Sequence, residues 1–134
     1  MDATENKLGV INASSLAMGL LTAGGPAKWH PATDELKDIC AAAAKFCKDK
    51  NVDIAKLGLD YALSQEGADV HLVSAAEHKL LDLNLDVAIN GLNELEKSVQ
   101  NEILTKFFNP LTVRHWEGIE IAKYWNKLDL LNRN

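Results

Sequence analysis

A short apolar run that breaks into small residues and then into a glycine-rich loop is the feature that most constrains this chain. The run Leu8-Gly9-Val10-Ile11 predicts a buried strand over Leu8–Ala13. The Gly24-Gly25-Pro26 turn cannot sit inside a helix, so residues 16–32 are predicted to form a loop. A strand that opens into such a loop can present backbone N–H groups to a phosphate. The stretch therefore favours an α/β fold with an anion-binding loop, although a simple tight turn explains the same residues.

Helical periodicity and a second strand follow this loop. One amphipathic helix is predicted to be capped by Thr33 or Asp34, and a second helix is predicted to follow Asp53 and to stop at Gly67. The apolar run Val70–Val73 predicts the second strand. Two strands joined through helices should pair in parallel through a right-handed crossover.

Three more helical segments complete the predicted order. A third helix is expected over Glu77–Ile89, and a fourth carries apolar residues at i, i+4 spacing until Asn109-Pro110 stops it. The tail, Leu111–Asn134, holds the pattern of a short amphipathic helix. The prediction is thus a single domain over residues 1–134, in which residues 111–134 form a C-terminal tail.

Composition excludes several classes of partner. The net charge is −5 and no basic stripe with interleaved aromatic residues is present, so we expect no nucleic-acid binding. No apolar run reaches the roughly 18 residues of a membrane helix, and no signal peptide is seen before the first strand, so a cytoplasmic location is expected. Cys40 and Cys47 are seven residues apart on one predicted helix face, where they should be small core residues.

No metal site or catalytic set is visible from spacing alone. The four histidines, His30, His71, His78 and His115, lack the spacing of metal ligands. His30 has no visible partner that would make it a catalytic base, and the carboxylates are spread along helix faces. We therefore predict no metal and no catalytic residue from these patterns.

The N-terminal stretch resembles the aldo-keto reductase family, in its L-galactose dehydrogenase-like branch. Family members carry, at the seventh strand of their barrel, a segment close to G-V-I-x-A-S-P-L-x-M-G-L-L-T, followed by G-P-x-x-W-H-P-A. This chain has Gly9 to Thr22 in the first pattern and Gly25 to Ala32 in the second. The clear departure is Ser15, where the family has proline.

The resemblance implies a fold and the limits of this chain. Family members are (β/α)8 barrels, which need roughly 250 residues, whereas this chain has 134. It resembles the C-terminal part of such a barrel: the last two parallel strands with their helices, plus the helical tail. The family's catalytic Asp, Tyr, Lys and His belong to earlier strands. The family Asp precedes its Tyr by five positions, but Lys56 precedes Tyr61 and Ile119 precedes Tyr124 at that distance, so no substitute pair is present.

The resemblance also assigns residues to the cofactor, NAD(P). Ser14 and Leu16 fall on the pyrophosphate side, and Gly19 would allow close backbone approach. Ser74 stands at the strand end in place of a family glycine, and Asn84 matches the asparagine that reads the adenosine end. Leu83 stands where the family has glutamate, which weakens the expected nucleotide affinity.

Three functions are compatible with the sequence. The first is the C-terminal segment of an NAD(P)-dependent reductase whose parent enzyme takes nicotinamide dinucleotide and a small carbonyl or sugar, and which is inactive alone. The second is a non-catalytic truncated product that binds another chain or itself, because two parallel strands leave both sheet edges open. The third, which ignores the resemblance, is a small acidic α/β adaptor domain.

Overall fold

The computed structural model describes residues 8–132. Residues 1–7 and 133–134, which the sequence assigns to the same domain, lie outside the described part. We label two strands and five helices, with one 3-10 turn and one π-helical turn. In chain order these are β1 Ile11–Ala13, the 3-10 turn Ala17–Gly19, α1 Asp34–Asp49, α2 Ile54–Leu63, β2 Val70–Leu72, α3 His78–Asn90, α4 Glu94–Ile103, the π turn Leu104–Phe108, and α5 Ile119–Asn132.

The two strands form a parallel pair, as the sequence predicts. Asn12 of β1 lies opposite His71 of β2, with Ile11 opposite Val70 on one side. The Asn12 side-chain amide lies 3.2 Å from Nδ1 of His71, so these two polar groups partner each other across the pair. The Asp69 carboxylate also accepts a hydrogen bond from the backbone N–H of Val10 at 2.7 Å. These bonds fix the register of the pair.

The predicted burial of the first strand is wrong for the described residues. The strand is limited to Ile11–Ala13 instead of Leu8–Ala13, and the Ile11 side chain is 68% exposed. On β2, Leu72 is 62% exposed. A parallel strand is buried when helices cover both faces and strands flank both edges. In residues 8–132 the sheet has two strands, so the apolar side chains lack those neighbours.

Local signals set the helix starts. Thr33 Oγ1 accepts from the backbone N–H of Leu36 at the start of α1, and Asp53 caps α2 in the same way. Helix α4 begins with a capping box that sequence analysis did not identify, in which Asn93 and Glu96 satisfy each other's backbone N–H groups. The predicted stop of α2 at Gly67 is wrong. The helix ends at Leu63, and Gly67, with φ of +97°, belongs to the turn before β2.

Two apolar clusters hold the helices and the loop. The main cluster joins α1, α2 and α4, and consists of Ala43, Cys47, Val52, Ile54, Leu57, Leu92, Val99 and Ile103. The second lies beneath the loop and consists of Leu20, Ala32, Leu36, Cys40 and Leu111, with Trp116 packed against it. Both cysteines are core residues, as predicted, and burial raises the pKa of each thiol to about 11.

The C-terminal third is less enclosed. The predicted fourth helix is α-helical until Ile103 and continues as the π turn to Phe108, so it ends at Asn109-Pro110 as predicted. The predicted tail helix is present as α5, where Ile121 and Trp125 are exposed. No helix in the part of the chain that the structure describes is both long enough and apolar enough to cross a membrane.

Candidate functional site at the carboxyl ends of the two strands

A cleft of about 380 Å³ opens where β1 and β2 end. This is the edge of a parallel sheet at which α/β proteins bind ligands. All five residues that the resemblance assigned to the cofactor line it: Ser14, Leu16, Gly19, Ser74 and Asn84. Sequence analysis did not assign the other lining residues, which are Ala13, Ser15, Met18, Thr22, Leu59, Leu72 and Val73.

Some of these additional lining residues could have been expected from the sequence, and others could not. Met18 and Thr22 belong to the quoted family-like stretch, and Leu72 and Val73 end a predicted strand, so their positions pointed to this edge. Leu59 reaches the cleft from α2 and is buried. Its contribution depends on how α2 packs against the loop, for which the sequence carries no signal.

The loop that follows β1 has an uncommon backbone conformation. Ser14, Ala17 and Met18 have φ values of 61°, 49° and 52°, in the left-handed region that side chains other than glycine seldom adopt. Such residues cost on the order of 1–3 kcal/mol each and persist where their surroundings hold them. The loop is closed by hydrogen bonds from Ala17 N–H to Ser14 O at 2.7 Å and from Gly19 N–H to Leu16 O at 3.1 Å.

Gly19 is needed by the loop itself. Its φ is +97°, and a Cβ at this position would lie 3.2 Å from the Gly25 carbonyl oxygen and 3.3 Å from Pro26 Cα. The close approach that requires glycine is therefore the one made by the Gly25-Pro26 backbone. The loop therefore requires glycine at this position even when no ligand is bound. The sequence had led us to expect that the cofactor would be the group that approaches Gly19.

Ser15 carries a buried hydroxyl that finds no hydrogen-bond partner among the residues the structure describes. An unpaired buried polar group costs about 1–3 kcal/mol, and such groups call for an explanation when they lie beside a cavity. A proline here favours extended backbone at the preceding residue, whereas Ser14 has φ of 61°. The departure from the family pattern thus coincides with the unusual conformation of Ser14.

His30 is enclosed and bonded on both ring nitrogens. Nε2 lies 3.1 Å from the Ala17 carbonyl oxygen, and Nδ1 lies 3.1 Å from the backbone nitrogen of Ala32. The edge of the Trp116 ring system packs against it with ring centroids 4.8 Å apart. Both nitrogens are therefore engaged with backbone groups, and His30 is structural in this arrangement.

Helix α2 packs against the loop through an interior glycine. A Cβ at Gly58 would lie 3.2 Å from Cδ1 of Leu21 and 3.5 Å from Cδ2 of Leu16. Glycine in a helix interior costs about 1 kcal/mol relative to alanine. The structure supplies the reason for it, since a smooth helix surface at this point lets Leu16 and Leu21 pack closely.

The cleft lining carries no charged side chain. Its polar groups are the hydroxyls of Ser14, Ser15, Thr22 and Ser74 and the amide of Asn84, and the Thr22 hydroxyl already donates to the Gly19 carbonyl at 2.8 Å. Among the side chains that the structure describes, within residues 8–128, no three His, Cys, Asp or Glu groups are arranged to hold a metal ion. A ligand would be held here by neutral hydrogen bonds and apolar contact.

Comparison with known proteins gives the same assignment for most of the chain. Residues 3–103 match the sequence profile of the Aldo/keto reductase family. L-galactose dehydrogenase from Arabidopsis thaliana is 43% identical over 88 residues, which cover 66% of this chain and 27% of that protein. D-arabinose 1-dehydrogenase from Saccharomyces cerevisiae is 34% identical over 111 residues, which cover 75% of this chain and 33% of that protein.

The chain thus spans between about a quarter and a third of the length of these two relatives. The profile match extends from the segment before β1 to the end of α4, so it includes both strands and every residue of the cleft. The resemblance noted from the motif residues is confirmed, and this chain belongs to the Aldo/keto reductase family.

Proposed function

We propose that this chain forms the nucleotide-facing end of an NAD(P)-dependent reductase barrel, with its last two strand–helix units and its C-terminal tail. One observation carries the proposal. Residues assigned to the cofactor from two distant segments, Ser14 to Gly19 and Ser74 to Asn84, line a single cleft at the carboxyl ends of two parallel strands. A random pair of loops has no reason to bring these particular residues together.

The polar groups of the cleft suit part of a dinucleotide. In the proposal, the Ser14 hydroxyl and the loop backbone at Leu16 face the pyrophosphate, and the Asn84 amide faces the adenosine end. The orphaned Ser15 hydroxyl adds a further hydrogen-bonding group. The volume of about 380 Å³ lies near the lower end of the range of roughly 300–1,000 Å³ for small-molecule sites. This size favours binding of one portion of the cofactor, with the remainder lying against other parts of a barrel.

The cofactor, when bound, supplies the hydride, and the protein orients it and moves the proton. The relatives act on L-galactose and D-arabinose, as their names state. We therefore propose a sugar or another small carbonyl compound as the substrate of the complete reductase. The residues of this chain would contribute to cofactor binding, while proton transfer would fall to groups supplied by earlier strands.

Nucleotide binding is tested directly with the 134-residue chain and NADPH, by the change in NADPH fluorescence. We expect saturable binding that Asn84→Ala weakens by about 2- to 10-fold, the equivalent of one hydrogen bond. Asn101→Ala is the matched control, because Asn101 is exposed on α4 outside the cleft. Absence of saturable binding by the wild-type chain would contradict the proposed function.

Turnover is tested separately. We propose that the chain alone does not reduce aldehydes or sugars, because neither tyrosine with a described position has a carboxylate five residues before it: Lys56 precedes Tyr61, and Ile119 precedes Tyr124. In addition, the Lys56 ammonium is held by Glu96 at 3.0 Å. NADPH consumption with a panel of aldehydes and sugars should stay at the rate without substrate. Substrate-dependent consumption would overturn this part of the proposal.

A second function, binding to another chain without catalysis, is favoured by the exposed sheet. Ile11, Val70 and Leu72 are each more than half exposed, and within residues 8–132 no further strand flanks the two-stranded sheet. Open edges and contiguous apolar surface are typical of protein interfaces. Family membership removes the support for the third interpretation, an adaptor domain unrelated to the reductases.

A further inference from the structure

We propose that His30 is a positioning residue for the cleft: its imidazole holds the loop of residues 14–19 in the conformation that a nucleotide meets. The inference rests on the proposed nucleotide binding, which it extends to a residue outside the cleft lining. This role is supported by the two hydrogen bonds of His30, by the strained backbone that one of them restrains, and by the ring that packs against the imidazole.

The hydrogen bonds of His30 fix its tautomer. A backbone N–H can only donate, so Nδ1 accepts the hydrogen bond from the Ala32 N–H. A carbonyl oxygen can only accept, so Nε2 carries a proton and donates a hydrogen bond to the Ala17 carbonyl oxygen. The side chain is 2% exposed, which makes it the one buried polar residue of the described chain. A neutral imidazole with a proton on Nε2 satisfies both backbone groups at once.

The hydrogen bond from His30 to Ala17 is made to the strained part of the loop. Ala17, whose carbonyl accepts from His30, has φ of 49°, and the next residue, Met18, has φ of 52°. Left-handed residues other than glycine persist only where the surrounding structure determines them. The Ala17 carbonyl also accepts from Leu20 N–H at 3.2 Å, so two bonds hold this peptide group in place. Leu16 and Met18, which flank it, both line the cleft.

The ring itself is held by the segment before α5. Trp116 packs its edge against the imidazole at 4.8 Å, with an angle of 70° between the planes. Trp116 also packs against the apolar cluster beneath the loop, to which Leu111 belongs. His30 therefore connects the cleft loop, the residues leading into α1 and the segment that follows the π turn. This connection lets residues far along the chain set the shape of the cleft.

The test compares three substitutions of His30 with one another. His30→Gln can still extend an amide donor toward Ala17. His30→Asn keeps an acceptor for the Ala32 N–H two residues on, as in an Asx turn, but cannot reach Ala17. His30→Phe keeps the ring and removes both bonds. We expect NADPH affinity to be close to that of the wild type in His30→Gln and to fall about tenfold or more in the other two.

A loss of stability alone must be distinguished from a loss of positioning. Val99→Ala serves as the control, because Val99 is fully buried in the other apolar cluster and its truncation lowers stability without touching the loop. We expect that it lowers the Tm but leaves NADPH affinity unchanged. Amide hydrogen exchange provides a readout without ligand: residues 15–22 should exchange faster in His30→Asn and His30→Phe, and at the wild-type rate in Val99→Ala.

The outcomes separate the two proposals. If the wild-type chain does not bind NADPH, the proposed function fails and hydrogen exchange of the loop alone decides the role of His30. If loop exchange and NADPH affinity are the same in wild type and His30→Asn, the positioning role is wrong. Should His30→Phe not fold, Trp116→Leu, which keeps His30 and removes its ring contact, must shift loop exchange in the same direction. An unchanged loop in that variant would overturn the proposal.

Discussion

At the scale of single residues, one loop holds three of the four left-handed residues other than glycine in the described chain, and the fourth, Asn51, follows α1. Ser14, Ala17 and Met18 are left-handed, and the Ser15 hydroxyl is buried without a described partner. Conformations that cost free energy gather where they serve binding or catalysis. These residues all line the cleft or, in the case of Ala17, lie between residues that do. The conformation of this loop is therefore unfavourable in free energy, and the packing of the rest of the fold must offset it.

The Ser15 hydroxyl gives a prediction for stability. Ser15→Ala removes the unpaired oxygen and should raise the free energy of unfolding by about 1 kcal/mol, measured by urea denaturation of the chain without ligand. Ser74→Ala is the control, because Ser74 is exposed at the cleft and its change should stay within about 0.5 kcal/mol. A loss of stability in Ser15→Ala would show that the hydroxyl has a partner in solution.

At the scale of elements, helix α2 and the loop make a close contact at Gly58. The glycine at position 58 allows Leu21 to approach the helix surface, and a methyl group there would press on Leu21 Cδ1 at 3.2 Å. Two effects oppose each other: alanine favours the helix by about 1 kcal/mol, and the contact with Leu21 disfavours alanine. We expect the strain of this contact to offset the gain.

A double-mutant cycle tests this balance. Gly58→Ala in the wild type should leave the free energy of unfolding unchanged or lower it. In a Leu21→Ala background the obstructing side chain is absent, so the same change should stabilise the chain by about 1 kcal/mol. Both are measured by urea denaturation. Equal effects in the two backgrounds would mean that the loop moves aside freely.

Ion pairs connect α4 with the end of α1 and with the π turn. The Lys50 ammonium donates to Glu102 Oε1 at 2.7 Å and that of Lys106 donates to Oε2 at 2.9 Å. Both ammonium groups also lie over the Phe46 ring, within 4.9 Å of its centroid. The hydrogen bonds from Lys50 and Lys106 lower the pKa of the Glu102 carboxyl below its usual value. This cluster joins α4 to the end of α1 and to the π turn.

The lowered pKa of Glu102 predicts a pH dependence. A carboxyl whose pKa is lower in the folded state contributes stability above its unfolded pKa, near 4.3, and that contribution is lost as the pH falls through the folded value. Glu102→Gln should therefore show a shallower loss of stability on acidification below about pH 5. The double change Lys50→Gln and Lys106→Gln removes the cause of the pKa shift. In this variant too, the free energy of unfolding should decrease less steeply as the pH falls below about 5. If both variants lose stability on acidification as steeply as the wild type, the proposed contribution of Glu102 is wrong.

At the scale of the whole molecule, the described chain has a well-packed helical side and an open sheet side. Helices α1, α2 and α4 share one apolar cluster, whereas the strands and the outer face of α3 expose large apolar residues: Ile11, Val70, Leu72, Val73, Leu80, Leu81, Leu85 and Ile89. Exposed apolar side chains that form a patch mark interaction sites. Parallel strands in proteins are covered on both faces.

The open side predicts association. We expect sedimentation velocity of the chain to show a mass that rises with concentration, because two copies can cover each other's strands. Ile11→Lys should shift the equilibrium toward the monomer, since it places a charge on the exposed strand. Leu95→Lys, at an exposed position on α4, is the control and should leave association unchanged. A compact monomer at all concentrations would contradict this prediction.

The sequence by itself determined the elements and their pairing. Caps at Thr33 and Asp53, apolar spacing and the strand–helix–helix–strand order are local signals, so α1, α2 and the parallel pair were predictable. The motif residues identified the family and named five residues that line the cleft. The ends of elements were less predictable: Gly67 did not stop α2, because the chain had already turned at Ser64.

Only the tertiary structure decided what surrounds each residue. Three features depend on which segments the fold brings together: the exposure of Ile11, the unpartnered hydroxyl of Ser15 and the hydrogen bond of His30 to Ala17, all within the residues that the structure describes. The sequence alone does not distinguish the roles of Gly19 and Gly58. In the structure, Gly19 leaves room for the Gly25-Pro26 backbone, and Gly58 leaves room for the Leu21 side chain. Periodicity and capping are set by residues a few positions apart, whereas burial and hydrogen-bond satisfaction are set by whichever segments the fold brings into contact.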